Sequence, residues 1–255
     1  MSEHFPNAPI TEALIDIRTH LPETITADTI VSLHDKIKKE YPTQEERRAW
    51  QGKIELGKSE KMAAVTQSLG TDGYFFRSED GRNVVQYRLD GFSFSRLKPY
   101  TDWESVYSEA MKLWALYRDH LKPLEITRIA LRNINLIHIP FKTFKLEDYL
   151  VAPPAMPEGL GEVVVLQFLN RIVFEYSQDA TKVVVTQASQ PQSDPGSAAI
   201  ILDIDAFREV KLAPFDQNID ILFRKLRTIK NDVFSKLVTE EAKKLFRSPP
   251  QARAL

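Results

Sequence analysis

The chain has 255 residues, of which 43% are hydrophobic and 27% are charged, and it contains no cysteine. This composition excludes a disordered, collagen-like or disulfide-stapled protein, and the missing thiols exclude Cys-ligated zinc, iron–sulfur clusters and thiol nucleophiles. Thirty-four basic and thirty-five acidic residues leave a formal net charge of −1, too little for the overall field to hold a nucleic acid or an anionic membrane. Because no apolar stretch has the length of a signal-peptide core or a membrane span, we expect a cytoplasmic protein that does not bind membranes.

The N-terminal region predicts a strand and then a short helix. Residues 8–21 alternate between polar and apolar side chains, as in a strand with one buried face. Thr26 or Asp28 can cap the helix, and Pro42 ends it. The apolar positions of the helix fall at helical spacing: Ile30, Leu33, Ile37 and Tyr41.

Residues 47–97 predict a meander of antiparallel strands whose register is defined by turns. Asp80-Gly81 and Asp90-Gly91 each suit a two-residue hairpin turn, in which glycine accepts a positive φ. Counting back from these turns gives the cross-strand pairs Tyr74–Tyr87 and Tyr87–Phe94. One face of the meander is predicted to be core: Tyr74, Phe76, Val85, Tyr87, Leu89, Phe92 and Phe94.

A long helix and a long strand are predicted after the meander. Asp102 is a suitable N-cap for the helix, whose aromatic stripe is expected to pack on the core side of the meander. Glu125 to Ile139 predict a strand, and a short helix is expected around residues 144–150. Further strands are predicted at 162–176, 182–188 and 198–205, with a polar, mobile linker at 190–197.

The C-terminal region predicts a helix from residue 214 or 215 to residue 237 and a short terminal helix that starts at Thr239. The apolar stripe of the long helix comprises Ile219, Leu222, Leu226, Ile229, Val233 and Leu237. Its basic residues are assigned to the polar side: Arg224, Lys225, Arg227 and Lys230.

These elements predict an α+β protein in which antiparallel sheets are each packed on a long helix. The order of strand, short helix, antiparallel strands and long helix occurs twice. It indicates two structurally similar halves, residues 1–122 and 123–255, each with a helix-grip arrangement. The alternative is a single domain with one continuous sheet. Exposed strand edges would also allow a homodimer that pairs through the sheet.

The sequence contains none of the standard catalytic or phosphate-binding motifs, so we assign no catalytic residue, cofactor or metal. His20 and His138 occupy matching places in the two halves, where a metal or proton-transfer pair competes with a plain surface turn. Fourteen Phe, eight Tyr and three Trp residues could line an apolar ligand pocket between sheet and helix, but a packed core uses the same residues.

Carboxylates on strands are the first candidate site. Glu12 and Asp16 alternate on the polar side of the first strand, and Asp203 and Asp205 alternate on a late strand. Such groups suit acid–base chemistry or a hard cation. They also suit a solvated strand face, on which the two aspartates of the late strand would pair with Arg128 or Arg132.

Arginines on the outer face of the meander are the second candidate site. Arg77 and Arg88 lie there beside serine and glutamine side chains, where phosphate or single-stranded nucleic acid could bind. The leading hypothesis is nevertheless a non-enzymatic binding or protein-interaction module. The alternatives are an enzyme that uses the strand carboxylates and a nucleic-acid-binding module that uses the outer sheet face.

Two sequence patterns resemble a sporadically distributed bacterial family of uncharacterised proteins. The first is the N-terminal run Asn7-Ala8-Pro9-Ile10-Thr11-Glu12-Ala13. The second is Leu202-Asp203-Ile204-Asp205-Ala206-Phe207, followed by Asn231-x-x-Phe234-x-x-x-x-Thr239. The resemblance covers nearly the whole chain. It implies a bacterial origin and assigns neither an activity nor a catalytic residue.

Overall fold

Nine strands of the chain form one antiparallel sheet in a computed structural model that describes residues 3, 5–56, 62–139, 145–157, 159–160, 165–190 and 198–248. The strands are β1 Ile10–His20, β2 Thr43–Leu56, β3 Met62–Arg77, β4 Asn83–Arg88, β5 Gly91–Leu97, β6 Glu125–Ile139, β7 Leu169–Tyr176, β8 Thr181–Gln190 and β9 Ala198–Leu212. Their order across the sheet is β2-β3-β4-β5-β1-β6-β9-β8-β7. The predicted linker at 190–197 lies, after its first residue, outside the described residues.

Helices cover one face of this sheet. They are α1 Ala27–Val31, α2 His34–Ile37, α3 Trp103–Leu121, α4 Asn218–Leu237 and α5 Glu240–Arg247, with a 3₁₀ turn at Leu146–Asp148. Helix α3 packs on β5, and α4 packs on β6 and β9. The two long helices run antiparallel, since Arg118 lies over the ring of Phe215 at one end and Arg227 lies near Glu104 at the other.

The helix-covered face of the sheet carries the core. Alternate side chains of the central strands are almost fully buried there: Ile15, Ile17, Phe76, Val85, Tyr87, Phe92, Phe94, Ile129, Leu131, Val183, Leu202 and Ile204. Burial of each such side chain contributes about 1.5–3 kcal/mol. The alternate positions point to the opposite, polar face, so these central strands have one apolar and one polar side, as the period of two requires.

The prediction of separate sheets, each packed on its own helix, is wrong. Strands β1 and β6 pair with each other from Ile10 opposite Asn135 to His20 opposite Glu125, so the two halves of the chain meet in the middle of one sheet. Two separate sheets would leave both long strands with unpaired backbone groups along one edge. Pairing them removes these edges, and the continuous sheet named as the alternative is the one observed.

The meander confirms one predicted register and corrects the other. Tyr74 lies opposite Tyr87 as predicted, but Tyr87 lies opposite Phe92 and not Phe94. The reason is Gly91, which does not sit within the turn. It is the first residue of β5, and a Cβ at this position would lie 2.3 Å from the carbonyl oxygen of Ile17 in β1. This glycine allows two strands to approach closely, a requirement that no local turn pattern contains.

The helix predicted after Thr26 is divided into α1 and α2. Backbone hydrogen bonds of the i to i−3 type, from Leu33 N to Ile30 O and from Lys36 N to Leu33 O, both 3.1 Å, tighten the chain between the two short helices. The apolar positions still face the core, since Ile30, Leu33, Ile37 and Tyr41 are each at most 3% exposed.

Candidate functional site

The polar face of the sheet brings several predicted site residues into an ion-pair network centred on Asp16. This aspartate is only 4% exposed. Its Oδ2 accepts a hydrogen bond from Arg88 Nη2 at 2.7 Å, and its Oδ1 accepts one from Arg128 Nη1 at 2.9 Å. Arg88 also donates from Nε to Asp90 Oδ1 at 2.9 Å. Burial disfavours the charged form of Arg88, yet these carboxylates hold its pKa above the ordinary value.

The two aspartates of the late strand pair with arginines of β6, the alternative considered from the sequence. Arg132 binds Asp203 with both Nε and Nη2, at 2.8 and 2.5 Å, and Arg128 Nη2 donates to Asp205 Oδ2 at 2.8 Å. Burial raises the pKa of Asp205 above its ordinary value, against the attraction of the two arginines. Because the carboxylates are bound to guanidinium groups, their geometry is that of a structural network.

The remaining candidates lie apart from one another. Arg77 pairs with Glu45 at 3.3 Å, and it lies opposite Val84, four residues along β4 from Arg88. At about 3.3 Å per residue this separates the two arginines by roughly 13 Å along the strand. Glu12 lies between Leu97 and Ile134 on neighbouring strands, outside the network's direct ion pairs.

The matching histidines do not form a pair. His20 Nδ1 is hydrogen-bonded to Glu125 Oε1 at the start of β6, at a distance of 2.7 Å. His138 lies near the other end of the same strand. Thirteen residues of extended chain separate Glu125 from His138, which is roughly 40 Å. A shared metal or a direct proton transfer between the two histidines is therefore excluded.

A cavity of about 710 Å³ lies on the helix-covered face, where α4 continues past the start of α3. The N-terminal segment before β1, the loop before α3 and the floor of β1 and β6 close its other sides. Its apolar lining includes Phe5, Ile15, Trp103, Leu131 and Phe234. The volume falls within the roughly 300–1,000 Å³ typical of small-molecule pockets.

Lys230 of α4 faces this cavity and is 7% exposed. Its Nζ donates to Asn231 Oδ1 at 2.8 Å. With the amide of Asn133 oriented so that both ends are paired, the same Nζ also donates to the Asn133 oxygen at 3.0 Å. Burial, together with the positive charge of Arg227 one turn earlier, lowers the pKa of Lys230 to about 7.

Neutral amides, and not a carboxylate, are thus the partners of this buried cation. Among the described residues no carboxylate lies within ion-pair distance of Lys230. The acidic residues that line the cavity have other partners: Glu3 binds Arg247, Asp102 accepts from the backbone N–H of Ser105, and Glu104 lies 3.4 Å from Arg227. The cavity lining therefore combines apolar side chains with polar ones, and Lys230 and Arg227 place two basic groups on it.

A second amide of the cavity floor is also buried. Asn135, which is 2% exposed, lies two residues after Asn133 on β6, and its Nδ2 donates to the backbone oxygen of Leu202 at 2.9 Å. Both asparagines occupy positions of the strand that otherwise hold core side chains such as Leu131 and Ile137. Two amides and one amine therefore lie together at positions that hold apolar side chains elsewhere on these elements.

The assignment of Lys230 to the polar side of the last helix is wrong. The buried positions of α4 are Ile219, Phe223, Leu226, Lys230 and Val233. Their spacing of four, three, four and three residues places the lysine on the apolar stripe. This spacing is visible in the sequence, where a basic residue interrupts an otherwise apolar face, and it is the signal that identifies the site.

Comparison of the sequence with protein families and with curated proteins finds no match, so the family resemblance stays a prediction. Within the described residues, no three His, Asp or Glu side chains are grouped as a metal site requires. Also within that part of the chain, no helix combines the length and apolar character needed to cross a bilayer.

Proposed function

We propose that this protein is a binding module whose cavity takes a small ligand with an apolar body and an anionic group. The observation that carries the proposal is the buried ammonium of Lys230, which faces the cavity without a carboxylate partner among the described residues. A buried charge of this kind is destabilising unless it is neutralised or paired. A carboxylate, sulfonate or phosphate in the cavity would supply the missing counter-charge.

The neighbouring residues support the same ligand class. Arg227 also lines the cavity, and its guanidinium lies 5.2 Å from the ring centroid of Trp103. A charge-assisted hydrogen bond to an anion is about twice as strong as a neutral one. The aromatic and aliphatic lining would bind the apolar part, with about 25 cal/mol gained for each Å² of apolar surface that leaves water.

The two alternative functions receive less support from the geometry. An enzyme that uses the strand carboxylates needs one of them to exchange protons with a substrate, but Asp16, Asp203 and Asp205 are bound to arginines, which leaves Glu12 alone of the four candidates. Nucleic-acid binding through the outer face needs accessible cations, but Arg88 is 4% exposed and bound to two carboxylates. Location in the cytoplasm, a bacterial origin and an internal duplication stay predictions from the sequence.

A pair of fluorescent probes tests the proposal. Anilinonaphthalene sulfonate carries an aromatic body and an anion, and phenylnaphthylamine has the same aromatic body without the anion. In Lys230→Met, which keeps the volume but removes the charge, we expect the Kd for the sulfonate to rise about tenfold or more. The Kd for the neutral probe should change by less than about threefold.

Lys236→Met is the matched control, because Lys236 belongs to the same helix, is 74% exposed and pairs with Asp232 at the surface. It should bind both probes as the wild type does. Equal affinity of wild type and Lys230→Met for the sulfonate would refute the proposal, as would an equal loss of both probes.

A further inference from the structure

Strand β7 is an edge of the sheet on which large apolar side chains are exposed. Among the described residues no strand pairs with its outer side. Leu169, Ile172 and Val173 are 75%, 51% and 54% exposed, so both faces of the strand present large apolar side chains. An exposed apolar edge strand favours pairing with another chain.

The opposite edge of the sheet is protected. After its first two residues, strand β2 has four consecutive charged residues, Glu45, Glu46, Arg47 and Arg48, and all but Arg47 are exposed. Four consecutive charged side chains on an edge oppose pairing with a second strand. The difference between the two edges directs any sheet-mediated association to β7.

The backbone N–H and C=O groups of β7 that point away from β8 belong to one set of alternate residues. The oxygen of Phe168 accepts a hydrogen bond from Ser189 N at 3.1 Å, and the oxygen of Tyr176 accepts one from Ala180 N at 2.9 Å, so even-numbered residues direct their backbone groups inward. Hydrogen-bonded pairs alternate along an antiparallel ladder. Odd-numbered residues, from Leu169 to Glu175, therefore direct N–H and C=O outward.

We propose that two copies of this chain form a dimer by antiparallel pairing of β7 with β7, with Val173 on the two-fold axis. This register places Val173 opposite itself and Arg171 opposite Glu175 of the partner subunit, so that two ion pairs form. About six backbone hydrogen bonds form from the outward-facing groups. On the helix-covered face it places Ile172 opposite Phe174 of the partner subunit, so apolar side chains meet apolar side chains.

The two charged residues favour this register over the registers shifted by one or two residues. Moving the axis to Arg171 or to Glu175 would place like charges directly opposite each other, which is destabilising. Moving it to position 172 or 174 would leave both charged residues opposite apolar or polar side chains. Within the chain, Lys182 is paired across the ladder with Glu175, but its Nζ donates to Glu209 at 2.6 Å, and the side chain of Glu175 is exposed.

Charge reversal and its double-mutant rescue test the proposal, with sedimentation equilibrium as the measurement. The wild type should sediment at twice 29.2 kDa. Arg171→Glu and Glu175→Arg should each raise the dimer Kd about tenfold or more, because two repulsive pairs replace two attractive ones. The double variant should restore the wild-type Kd, since the pairs are then reversed but again opposite in sign.

Two further variants keep the test decisive. Val173→Pro removes an outward N–H and leaves the bonds to β8 intact, so the fold should persist by circular dichroism while the dimer is lost. Arg48→Glu changes a charge on the protected edge and should leave the Kd unchanged. A monomeric wild type at micromolar concentration overturns the proposal. So does a dimer that is insensitive to the β7 variants, or one that the double variant fails to restore.

Discussion

Replacing Lys230 by methionine should stabilise the protein, although it removes two hydrogen bonds from the core. The lysine loses its hydration on folding and has two amides, but no carboxylate, as partners among the described residues. Methionine fills nearly the same volume without a charge. The free energy of unfolding should therefore increase, and the increase should depend on pH.

The magnitude follows from the pKa. A pKa lowered from 10.5 to about 7 in the folded protein corresponds to about 5 kcal/mol of unfavourable interaction when the amine is protonated in both states. Below about pH 7 both the folded and the unfolded chain bind the proton, so Lys230 carries the full penalty there. Above that pH the folded protein releases the proton, and the penalty declines by about 1.4 kcal/mol for each pH unit.

Two opposing contributions set the expected result. The oxygens of Asn133 and Asn231 lose a donor, which costs about 1–3 kcal/mol where water does not replace it. At about pH 6 the variant should then be more stable than the wild type by roughly 2–4 kcal/mol. Between about pH 6 and pH 9 this advantage should shrink by roughly 2–3 kcal/mol, whatever the constant loss of hydrogen bonds.

Urea unfolding at a series of pH values measures this difference, and Lys236→Met supplies the control on the same helix. Because every other titrating group is shared, subtraction of the wild-type curve isolates Lys230. A difference that is flat across the pH range, or a variant that is less stable at every pH, would refute the reasoning. The control should show neither the stabilisation nor the slope.

Three further substitutions test the fold that positions the site, each by the free energy of unfolding. Asp16→Asn should destabilise by about 3–5 kcal/mol, because it leaves Arg88 buried with less counter-charge; a loss below 1 kcal/mol would contradict this. Gly91→Ala should destabilise by about 3 kcal/mol or more, because its φ is +146° and a Cβ would meet the Ile17 oxygen at 2.3 Å. Thr239→Ala should cost about 1 kcal/mol through loss of the α5 N-cap.

Local patterns predicted the elements well and their long-range pairing poorly. The register of β3 and β4 follows from one turn, in which Gly81 has a φ of +67°, and it is confirmed. The register of β4 and β5 depends on Gly91, whose role is a contact with β1 about seventy residues earlier in the chain. The pairing of β1 with β6 is longer in range still, and no turn connects these strands.

The candidate site shows the same division. Predictions that started from polar residue types selected arginines and aspartates, which the sheet then pairs with one another on its polar face. Lys230 could be predicted as a site residue only from its position on the apolar stripe of α4, where the helical period leads one to expect an apolar side chain. A conflict between residue type and position is therefore a better guide to this site than polarity alone.

A comparison of Arg88 with Lys230 supports the proposal that the cavity binds an anionic ligand. Both are buried cations on opposite faces of one sheet, 4% and 7% exposed. The fold supplies Arg88 with the carboxylates of Asp16 and Asp90, whereas Lys230 receives amide oxygens and lies near a second cation, Arg227. The fold therefore neutralises the charge of Arg88 but places no carboxylate, among the described residues, within ion-pair distance of Lys230. The missing carboxylate partner of Lys230 among the described residues, beside a 710 Å³ cavity, is explained if the counter-charge arrives with a ligand.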